Sequence, residues 1–527
     1  MAEPTLYSGG PILTMEEGPI PQAVLVDHGV VAAVGERDLL RRRAGSCREV
    51  DLEGRALLPA FLDGHSHLTA YANSLCLVAL EGAKSPQEVL DLLRSGLQTA
   101  PLPDGAWAMG FGYDHNQFPS RQHPTRELLD QVCPHRPLLI THASGHMGVL
   151  NSAALAALGI DASTPDPVGG RIGRLEGSRE PSGYLEEAAF TQATARVPPI
   201  SRDQLLSALE EAQNRYLAAG ITTIQDGRTG PADWALLQEF AQKGGLRADV
   251  VCYPPLQEDG SFPFPIQREY RRRLRIGGGK IFLDGSPQGR TAWLSAPYLH
   301  ADDGYRGYGL YEDRQVLAFA RAAYRDGFQL LAHCNGDAAA QQFIDACTAA
   351  QREFPHHHPR PVLVHGQLLR KDQLPAMASL GMIASFFVAH TYYWGDIHLE
   401  NLGRERASRI SPARSAVEAG VVETFHQDTP VLPPDMLTTL WCAVQRITRK
   451  GVLLDGEECL SPLEALKAIT IHAAWQYGEE DRKGSIRPGK LADLVILDQN
   501  PLAVEPDRLP SLQVLETIKE GETVFSR

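Results

Sequence analysis

The sequence predicts an α/β protein built around a TIM-type barrel of eight β/α units, and three observations lead to this class. Short apolar runs alternate with amphipathic stretches through most of the chain. Eight of these runs occur in series, the number of strands in a β/α barrel. The chain has 527 residues, which is too long for one small core and leaves room for additions to a barrel.

The eight runs are taken in chain order as the barrel strands. The first ends at His67, and the others cover 222–226, 249–253, 280–284, 329–333, 361–365, 382–387 and 421–428. Amphipathic stretches such as 317–325 and 338–351 predict the helices between strands.

One interval, from about residue 70 to about residue 215, is far too long for a loop between a strand and a helix. It contains its own strand-like run at 137–142. We therefore predict an inserted α/β subdomain after the first strand, inside a barrel that covers residues 58–480.

The two ends of the chain predict a separate small β-unit. Short strand-like runs with turns lie at 11–15, 23–27 and 30–34, within the first 57 residues. The segment 481–527 contains a similar run at 494–497 and a hairpin candidate at 517–525. Chain ends often lie close together on a domain surface, so the two segments are expected to form one unit that flanks the barrel.

Composition excludes several classes of protein. The hydrophobic content of 43% and charged content of 22% are those of an ordinary globular protein. A net charge of −14 argues against nucleic acid or an anionic membrane as the main partner. No signal peptide is visible, and no apolar run approaches the ~18 residues that span a bilayer. Eight scattered cysteines without a Cys-x-x-Cys motif indicate reduced thiols, so we expect a cytoplasmic protein, with a homo-oligomer left open.

The most informative segment is the apolar run that ends in His65, Ser66 and His67. Residues i and i+2 of a β-strand point to the same face, so both imidazoles project together from the strand end. Two converging neutral imidazoles are half of a metal site.

Other predicted strands supply the missing ligands. Catalytic groups of a β/α barrel lie at the carboxyl ends of the strands. Predicted strands five, six and eight end in His333, His365 and Asp428, and strand four carries Lys280 on the same face as Phe282 and Asp284. A single histidine that ends an apolar strand is more often a hydrogen-bonded core residue. Four histidines with an aspartate on one barrel favour a metal centre instead.

Lys280 needs its own explanation, because an ammonium group has no lone pair to offer a metal. A lysine that has reacted with CO2 becomes a carbamate, which bridges two cations as a carboxylate does. The alternative is a structural lysine paired with Asp284 or another acid. In that case the site holds one metal.

Taken together, these motifs resemble the amidohydrolase superfamily, and within it the branch that contains the N-substituted formamide deformylases. The stretches that carry the resemblance span nearly the whole chain and are LPAFLDGHSHL, HPTRELLDQV, SGHMGVLNSAAL, EPSGYLEEAA, AGITTIQDG, GGKIFLDGSPQGRTAWL, LLAHCNGDAA, PVLVHGQ, FFVAHTYYWGD, FHQDTPV and KGSIRPGKLADLVILDQNP.

The resemblance implies a β-sandwich beside the barrel and two divalent metals per chain, commonly Zn²⁺. It implies that His65 and His67 bind the more buried metal with Asp428, and that Lys280 bridges as a carbamate. His333 and His365 would hold the second metal. Relatives commonly have Ser-Asp where this chain has Gln427-Asp428, so the support of the aspartate is expected to differ.

The expected reaction is hydrolysis of a non-peptide C–N bond in a small molecule. A metal pair ~3.5–4 Å apart lowers the pKa of a bridging water and polarises a carbonyl oxygen. Asp428 would take the proton from that water and return it to the leaving nitrogen.

An amide or N-substituted formamide with an apolar N-substituent is the substrate we expect. The open alternatives are an N-acyl amino acid deacylase, a cyclic amidine deaminase and an ester or lactone hydrolase. A catalytically silent assembly subunit is the non-enzymatic alternative, although every predicted ligand position holds a competent residue.

Loop residues supply further candidates. His146 could act in catalysis by polarising the carbonyl group, and Tyr113, Asp114, His115 and Arg290 could line the pocket. The rings of Tyr393 and Trp394 could form the wall of an apolar substrate pocket. For each of these residues, hydrogen bonding or anchoring within a loop explains the sequence equally well.

Overall fold

The computed structural model describes residues 3–99 and 106–527. The chain forms two compact units. The first runs to Thr69 and resumes at Gln213, and the second covers Ala70–Ala212. The second unit falls within the interval from about 70 to about 215, for which an inserted subdomain stays a prediction.

Strands occur in both units and are numbered along the chain. They are β1 Thr5–Ser8, β2 Ala23–Asp27, β3 Val30–Gly35, β4 Arg48–Asp51, β5 Ala56–Pro59, β6 Phe61–Leu62, β7 Val78–Ala79, β8 Ala108–Tyr113, β9 Leu138–His142, β10 Met147–Leu150, β11 Gly170–Arg174, β12 Pro181–Glu187, β13 Ile221–Asp226, β14 Asp249–Cys252, β15 Leu274–Ile276, β16 Gly278–Phe282, β17 Gln329–Cys334, β18 Val362–His365, β19 Ile383–Phe386, β20 Glu423–Phe425, β21 Leu494–Leu497, β22 Val514–Lys519 and β23 Glu522–Ser526.

The helices lie mainly between the strands of the parallel sheets. They cover Arg37–Ala44, Leu68–Leu75, Pro86–Thr99, Arg126–Asp130, Ser152–Leu158, Ala188–Thr194, Arg202–Ala218, Pro231–Gln242, Asp313–Asp326, Asp337–Glu353, Leu374–Leu380, His390–Tyr393, Gly395–Leu402, Arg404–Ser408, Ala413–Glu418, Met436–Gln445, Pro462–Ala468 and Ile471–Gln476. Short 3-10 turns add His115–Gln117, Asp302–Gly304, Lys371–Gln373, Gly456–Glu458 and Pro506–Ser511. In the described ranges, no helix combines the length and apolar character needed to cross a bilayer.

Parallel strands make up the centre of the first unit and confirm the predicted α/β class. One sheet has the order β15-β14-β13-β6 and a second has the order β16-β17-β18-β19-β20. The predicted helices at 317–325 and 338–351 are confirmed as Asp313–Asp326 and Asp337–Glu353.

The structure differs from the predicted barrel in how its strands are joined and in the number of parallel strands. Across the described residues, the strands form two separate parallel sheets, and no single closed ladder joins them. The strand Leu274–Ile276 is an additional parallel strand that the sequence did not indicate. It has only three residues and follows a run of three arginines at 271–273, so it lacks an apolar run long enough to stand out.

The segments at the two chain ends form two four-stranded sheets. The first, of order β3-β2-β1-β4, consists of N-terminal strands, and the second, of order β23-β22-β21-β5, joins three C-terminal strands to β5. Strand β5 from the N-terminal segment pairs antiparallel with β21 from the C-terminal segment. Buried residues of the two sheets, among them Val24, Leu57, Ile496 and Ile518, form one hydrophobic cluster. The run at 11–15, predicted as a strand, makes only an isolated bridge, from Ile12 to Leu57.

The second unit has a mixed sheet of order β11-β12-β10-β9-β8-β7. Strands β7, β8 and β9 are parallel, while β10, β11 and β12 pair antiparallel with their neighbours. The sheet packs against helices through buried leucines such as Leu90, Leu93 and Leu155. The run predicted as a strand at 137–142 is confirmed as β9.

A buried network of ion pairs joins the C-terminal segment to the parallel sheet. Lys519 Nζ lies 2.8 Å from Asp249 Oδ2 in β14 and 2.8 Å from Asp493 Oδ2. Lys483 Nζ lies 2.7 Å from the same Asp249 oxygen. Burial alone would raise the pKa of Asp249, but the ammonium groups of Lys483 and Lys519 outweigh it and hold that pKa below its usual range.

We expect Lys519→Met to destabilise the protein. The substitution preserves most of the side-chain volume but leaves Asp493 buried without its ammonium partner, which typically costs about 3–5 kcal/mol of unfolding free energy. Urea unfolding followed by circular dichroism would measure the loss.

Lys243→Met is the matched control, because Lys243 is 59% exposed and pairs with Glu239 on a helix surface at 2.8 Å. Its effect should stay within about 0.5 kcal/mol. Equal destabilisation by the two substitutions would contradict a structural role for the buried network.

Candidate metal centre

The carboxyl ends of the parallel strands bring the predicted ligands into one region of the first unit. His65 and His67 follow β6, and Lys280 lies within β16. His333 lies in β17, and His365 is the last residue of β18. Strands β17 and β18 pair with Cys334 opposite His365, so the two imidazoles reach the same sheet edge.

Asp428 lies between the histidines. Its Oδ1 atom is 3.1 Å from His67 Nε2 and 3.5 Å from His65 Nε2, and its Oδ2 atom is 4.0 Å from His365 Nε2. The two carboxylate oxygens therefore face different histidines. Asp428 has φ 54° and His365 has φ 77°. Left-handed backbone at non-glycine residues is uncommon and concentrates at functional sites.

Lys280 is fully buried among these groups. Its Nζ atom lies 3.3 Å from His65 Nε2. Burial lowers the pKa of Lys280 to about 7, against an opposing effect of Asp428. Near neutral pH, a large fraction of this side chain is therefore the uncharged amine.

Asp284 does not pair with Lys280, so the alternative that Lys280 is a structural lysine paired with Asp284 is excluded. The carboxylate accepts hydrogen bonds from the backbone amides of Trp293, Asn335 and Gly336, at 3.0, 2.9 and 2.7 Å. Strand β16 ends at Phe282, so Asp284 lies beyond the strand. Its carboxylate holds the loops around Trp293 and Asn335 through these hydrogen bonds.

His65 is held in one orientation by Gln225 of β13. The Oε1 atom of Gln225 lies 2.5 Å from His65 Nδ1. The Nε2 atom of the same carboxamide donates to Gly64 O at 2.9 Å and to the Tyr477 hydroxyl at 3.0 Å. The amide group is thus fixed with its oxygen toward His65, so Nδ1 carries the imidazole proton and Nε2 presents a lone pair.

Space for the His65 ring comes from Gly227. A Cβ atom at residue 227 would lie 2.4 Å from His65 Cε1. Glycine at this position therefore lets the loop after β13 pass close to the imidazole.

Neighbouring polar groups also contact His333. Its Nε2 atom lies 3.2 Å from Gly285 O and 3.1 Å from Asn335 Nδ2. If Nε2 donates to the carbonyl oxygen, Nδ1 is an acceptor, and if Nε2 accepts from the Asn335 amide, Nδ1 carries the proton. Nδ1 lies 3.1 Å from His365 Nε2. Burial is the main effect that lowers the pKa of both His65 and His365 well below the usual value.

Spacing and donor chemistry fit a divalent metal. One nitrogen or oxygen from each of His65, His365 and Asp428 lies within 4.8 Å of the other two. The closest ligand-atom pairs are 3.1 to 3.5 Å apart. Two atoms bonded at about 2.0–2.1 Å to one tetrahedral metal are about 3.3 Å apart, so these side chains need little movement to bind a cation.

Two residues of the site escaped sequence reasoning. Gln225 was not recognised, although it is the inward residue next to the end of an apolar strand. His426 was not among the predicted site residues, but its ring centroid lies 5.2 Å from those of both His65 and His365. Within the part of the chain that the structure describes, His426 Nδ1 is buried without a hydrogen-bond partner.

Four predicted site residues belong to the second unit, namely His146, Tyr113, Asp114 and His115. The His146 side chain is 67% exposed, and its Nδ1 lies 3.2 Å from Glu187 Oε2. Tyr113 is buried in the hydrophobic core of that unit, and its hydroxyl group lies 2.9 Å from His123 Nδ1. Asp114 accepts hydrogen bonds from Asn116. The catalytic or substrate roles given to these residues stay predictions.

The other predicted substrate contacts lie in the first unit. Arg290 donates to Leu299 O at 3.0 Å and stacks on Tyr298. Tyr393 is half-buried, with the Arg449 guanidinium 4.6 Å from its ring centroid. The half-buried Trp394 ring packs against His390 and Phe387. Their roles in substrate binding likewise stay predictions.

Comparisons with known proteins identify the family of the chain. The sequence profile of the amidohydrolase family matches residues 48–525. The N-substituted formamide deformylase of Arthrobacter pascens is 30% identical over 533 residues, which cover 96% of this chain and 95% of that protein. Protein LONG AFTER FAR-RED 3 of Arabidopsis thaliana is 29% identical over 537 residues, covering 99% and 91%.

Among solved structures, an uncharacterized metal-dependent hydrolase from Pyrococcus horikoshii OT3 superposes with a TM-score of 0.77 at 24% identity. The match covers 96% of this chain and 99% of that one, and it shows that the two share a fold. From the profile match over most of its length, the chain belongs to the amidohydrolase family and is a hydrolase of carbon–nitrogen bonds.

Proposed function

We propose that this protein is a binuclear metal-dependent amidase that hydrolyses an amide or an N-substituted formamide with an apolar N-substituent. The observation that carries the proposal is the convergence of four imidazoles, one carboxylate and one low-pKa lysine at the ends of parallel strands. The similarity to a formamide deformylase over nearly the whole chain supports the choice of substrate class.

We infer that the two parallel sheets form one barrel around this site. Gly64 N donates to Phe425 O at 3.3 Å, which joins the segment after β6 to β20. At the other boundary, Lys280 N donates to Pro254 O at 2.9 Å and Leu256 N donates to Lys280 O at 3.1 Å. These backbone contacts support a closed arrangement with all the ligands at one end.

The proposed centre holds two zinc ions per chain. His65, His67 and Asp428 would hold one ion, and His333 and His365 would hold the other. Lys280 would bridge them after its amine adds to CO2. The pKa of about 7 supports this step, because only the uncharged amine has a lone pair with which to attack CO2.

When bound, divalent cations make a water molecule more acidic and an amide carbonyl more electrophilic. Asp428 would accept the proton of the attacking water and deliver it to the amide nitrogen, which must be protonated before it can leave. Burial opposes ionisation of Asp428, but His365 and His67 outweigh that effect and keep the pKa of Asp428 well below its usual value. Its carboxylate is therefore available as the base.

The substrate pocket is proposed to include the aromatic segment after β19. Tyr393 and Trp394 are only half-buried, and the Trp394 ring packs on Phe387, which itself contacts His426 of the centre. Apolar rings next to polar reacting groups suit a small molecule with an apolar N-substituent. The eight free thiols support a cytoplasmic location.

A hydrolysis screen with the zinc-loaded protein tests the proposal. N-alkyl and N-aryl formamides, N-acetyl amines, N-acyl amino acids, a cyclic amidine and lactones are compared, with amine release as the readout for the amides. We expect the formamides or simple amides to have the highest kcat/KM. Turnover confined to lactones, or to ammonia release from the amidine, would contradict the proposed substrate class.

Asp428→Asn is the catalytic variant for the same screen. Asparagine retains an oxygen ligand and the side-chain shape, but it cannot accept and return a proton. We expect kcat to fall at least ~10²-fold at equal metal content. Turnover equal to that of the wild type would show that another group moves the proton.

Replacing Lys280 tests the bridging role. We expect Lys280→Ala to lose metal and activity, and acetate or propionate to restore both in part by occupying the vacated space with a carboxylate. Metal is measured by elemental analysis, and the carbamate by ¹³C NMR after exchange with labelled bicarbonate.

Lys450→Ala, which removes an exposed lysine, should leave both readouts unchanged. Full metal content in Lys280→Ala would reject the bridge. A wild-type protein that saturates at one zinc ion would reject the binuclear centre.

Gln225 offers a test of ligand orientation. Gln225→Leu removes the acceptor that fixes the proton of His65 on Nδ1, so we expect a ~10–100-fold loss of zinc affinity, the usual effect of losing such a support. Gln225→Glu retains an acceptor oxygen and should fall between leucine and wild type. Competition with a chromophoric chelator measures all three, and unchanged affinity in Gln225→Leu would exclude the orienting role.

A further inference from the structure

A second cluster of metal-ligating side chains lies in the second unit, apart from the residues of the metal centre. Asp114 and His115 follow β8, and His142 is the last residue of β9. Strands β8 and β9 are parallel neighbours, with Tyr113 opposite His142 in the register. The three side chains therefore come together at the carboxyl edge of these strands.

The ligand atoms of this cluster are close together. His142 Nε2 lies 3.3 Å from His115 Nδ1 and 3.4 Å from Asp114 Oδ1. All three atoms lie within 4.8 Å of one another. The two shorter separations match the spacing of about 3.3 Å expected for ligands of one tetrahedral zinc ion.

Neighbouring groups hold the cluster in place. Asp114 Oδ1 accepts from the backbone amide and the side-chain amide of Asn116, at 2.9 and 3.0 Å. The ring of His123 stacks on His115 with centroids 3.9 Å apart, and His123 itself is fixed by the Tyr113 hydroxyl at 2.9 Å. These contacts restrict the side chains to one arrangement and so reduce the entropy lost on binding a cation.

The position of one proton decides between a metal site and a cluster held only by hydrogen bonds. Ser144 offers both its hydroxyl oxygen at 2.9 Å and its backbone amide at 3.0 Å to His142 Nδ1. If Nδ1 donates to the hydroxyl oxygen, Nε2 has a free lone pair directed at the other two ligands. If Nδ1 accepts from the amide, Nε2 carries the proton and donates it within the cluster.

We propose that Asp114, His115 and His142 form a separate binding site for a divalent transition metal of the zinc class. Two imidazoles and one carboxylate are a ligand set that zinc uses in proteins. Three protein ligands leave at least one coordination position open. The Asp114 and His142 side chains are 18% and 9% exposed, so the site is sheltered but not sealed. The assignment does not depend on the proposed amidase activity.

Zinc binding to the full-length protein tests the site. Wild type and His115→Ala are saturated with zinc, freed of excess metal by gel filtration, and compared by elemental analysis. We expect His115→Ala to hold one zinc ion per chain fewer than wild type, and Asp114→Asn to bind that ion more weakly. His135→Ala, which removes an exposed imidazole of the same unit, should match wild type.

A crystal of the zinc-saturated wild type supplies a measurement that does not depend on variants. An anomalous peak at the zinc edge is expected between Asp114, His115 and His142. The site is rejected if no peak appears there, or if His115→Ala and wild type contain the same amount of zinc. Either result would assign the residues to a hydrogen-bonded cluster.

The amidase proposal has its own failure, namely absence of zinc from the six residues of the metal centre or absence of amide turnover. Elemental analysis of a His65→Ala/His67→Ala variant separates the two cases. The Asp114 site should retain its zinc in that variant, whatever happens to the reaction.

Discussion

The metal centre depends on one partly buried carboxylate surrounded by imidazoles. Asp428 Oδ1 faces His65 and His67, while Oδ2 faces His365, so a single side chain links ligands from the first strand of the parallel arrangement to a ligand from a later one. A buried charge without compensation costs several kcal/mol. Because the His65 proton is on Nδ1, its Nε2 atom faces this carboxylate with a lone pair and offers it no hydrogen bond, whereas a divalent cation between them would compensate the charge.

The groups that form hydrogen bonds to His65 and His333 are uncharged, and this affects the net charge of the proposed metal centre. His65 is held by the Gln225 carboxamide. His333 Nε2 contacts the Gly285 carbonyl at 3.2 Å and the Asn335 carboxamide at 3.1 Å, while the Asp284 carboxylate is farther away at 3.6 Å. With such supports, the ligand set contributes only the charge of Asp428 and that of a carbamate at Lys280. Two divalent ions would retain a net positive charge, which favours binding of a developing oxyanion.

Much of the fold and the ligand set could be predicted from the sequence, because both rest on periodicity. His65 and His67 differ by two residues, and an apolar run precedes them, so strand geometry predicts that they point the same way. The strand itself ends at Leu62 rather than at His67, and the two histidines lie in the segment that follows it. Residues without such a pattern could not be predicted from the sequence. Gln225 looks like any polar residue near a strand end, and the three-residue strand at Leu274–Ile276 follows arginines. The way the two sheets meet depends on contacts between distant segments, which no local pattern reports.

The region of Asp428 shows how an assumption of regular geometry fails. A continuous strand through 421–428 would have placed His426 deeper than Asp428 along the same face. The strand instead ends at Phe425, and Asp428 adopts a left-handed backbone conformation, so His426 joins the centre. Only a structure reveals that the strand ends early, because neither histidine nor aspartate is a residue type that predicts it.

The pairing of β5 with β21 has a consequence for biosynthesis. Ribosomes release the N-terminal segment first, and domains generally fold as they emerge. Strand β5 forms its ladder with Leu494–Leu497 and is followed almost directly by β6 and the His65-Ser66-His67 segment. His65 and His67 are therefore translated early, but strand β5, which precedes their segment, completes its pairing only after β21 has been translated. Strand β5 therefore has no partner strand in this ladder until the more than four hundred residues between it and Leu494–Leu497 have been synthesised.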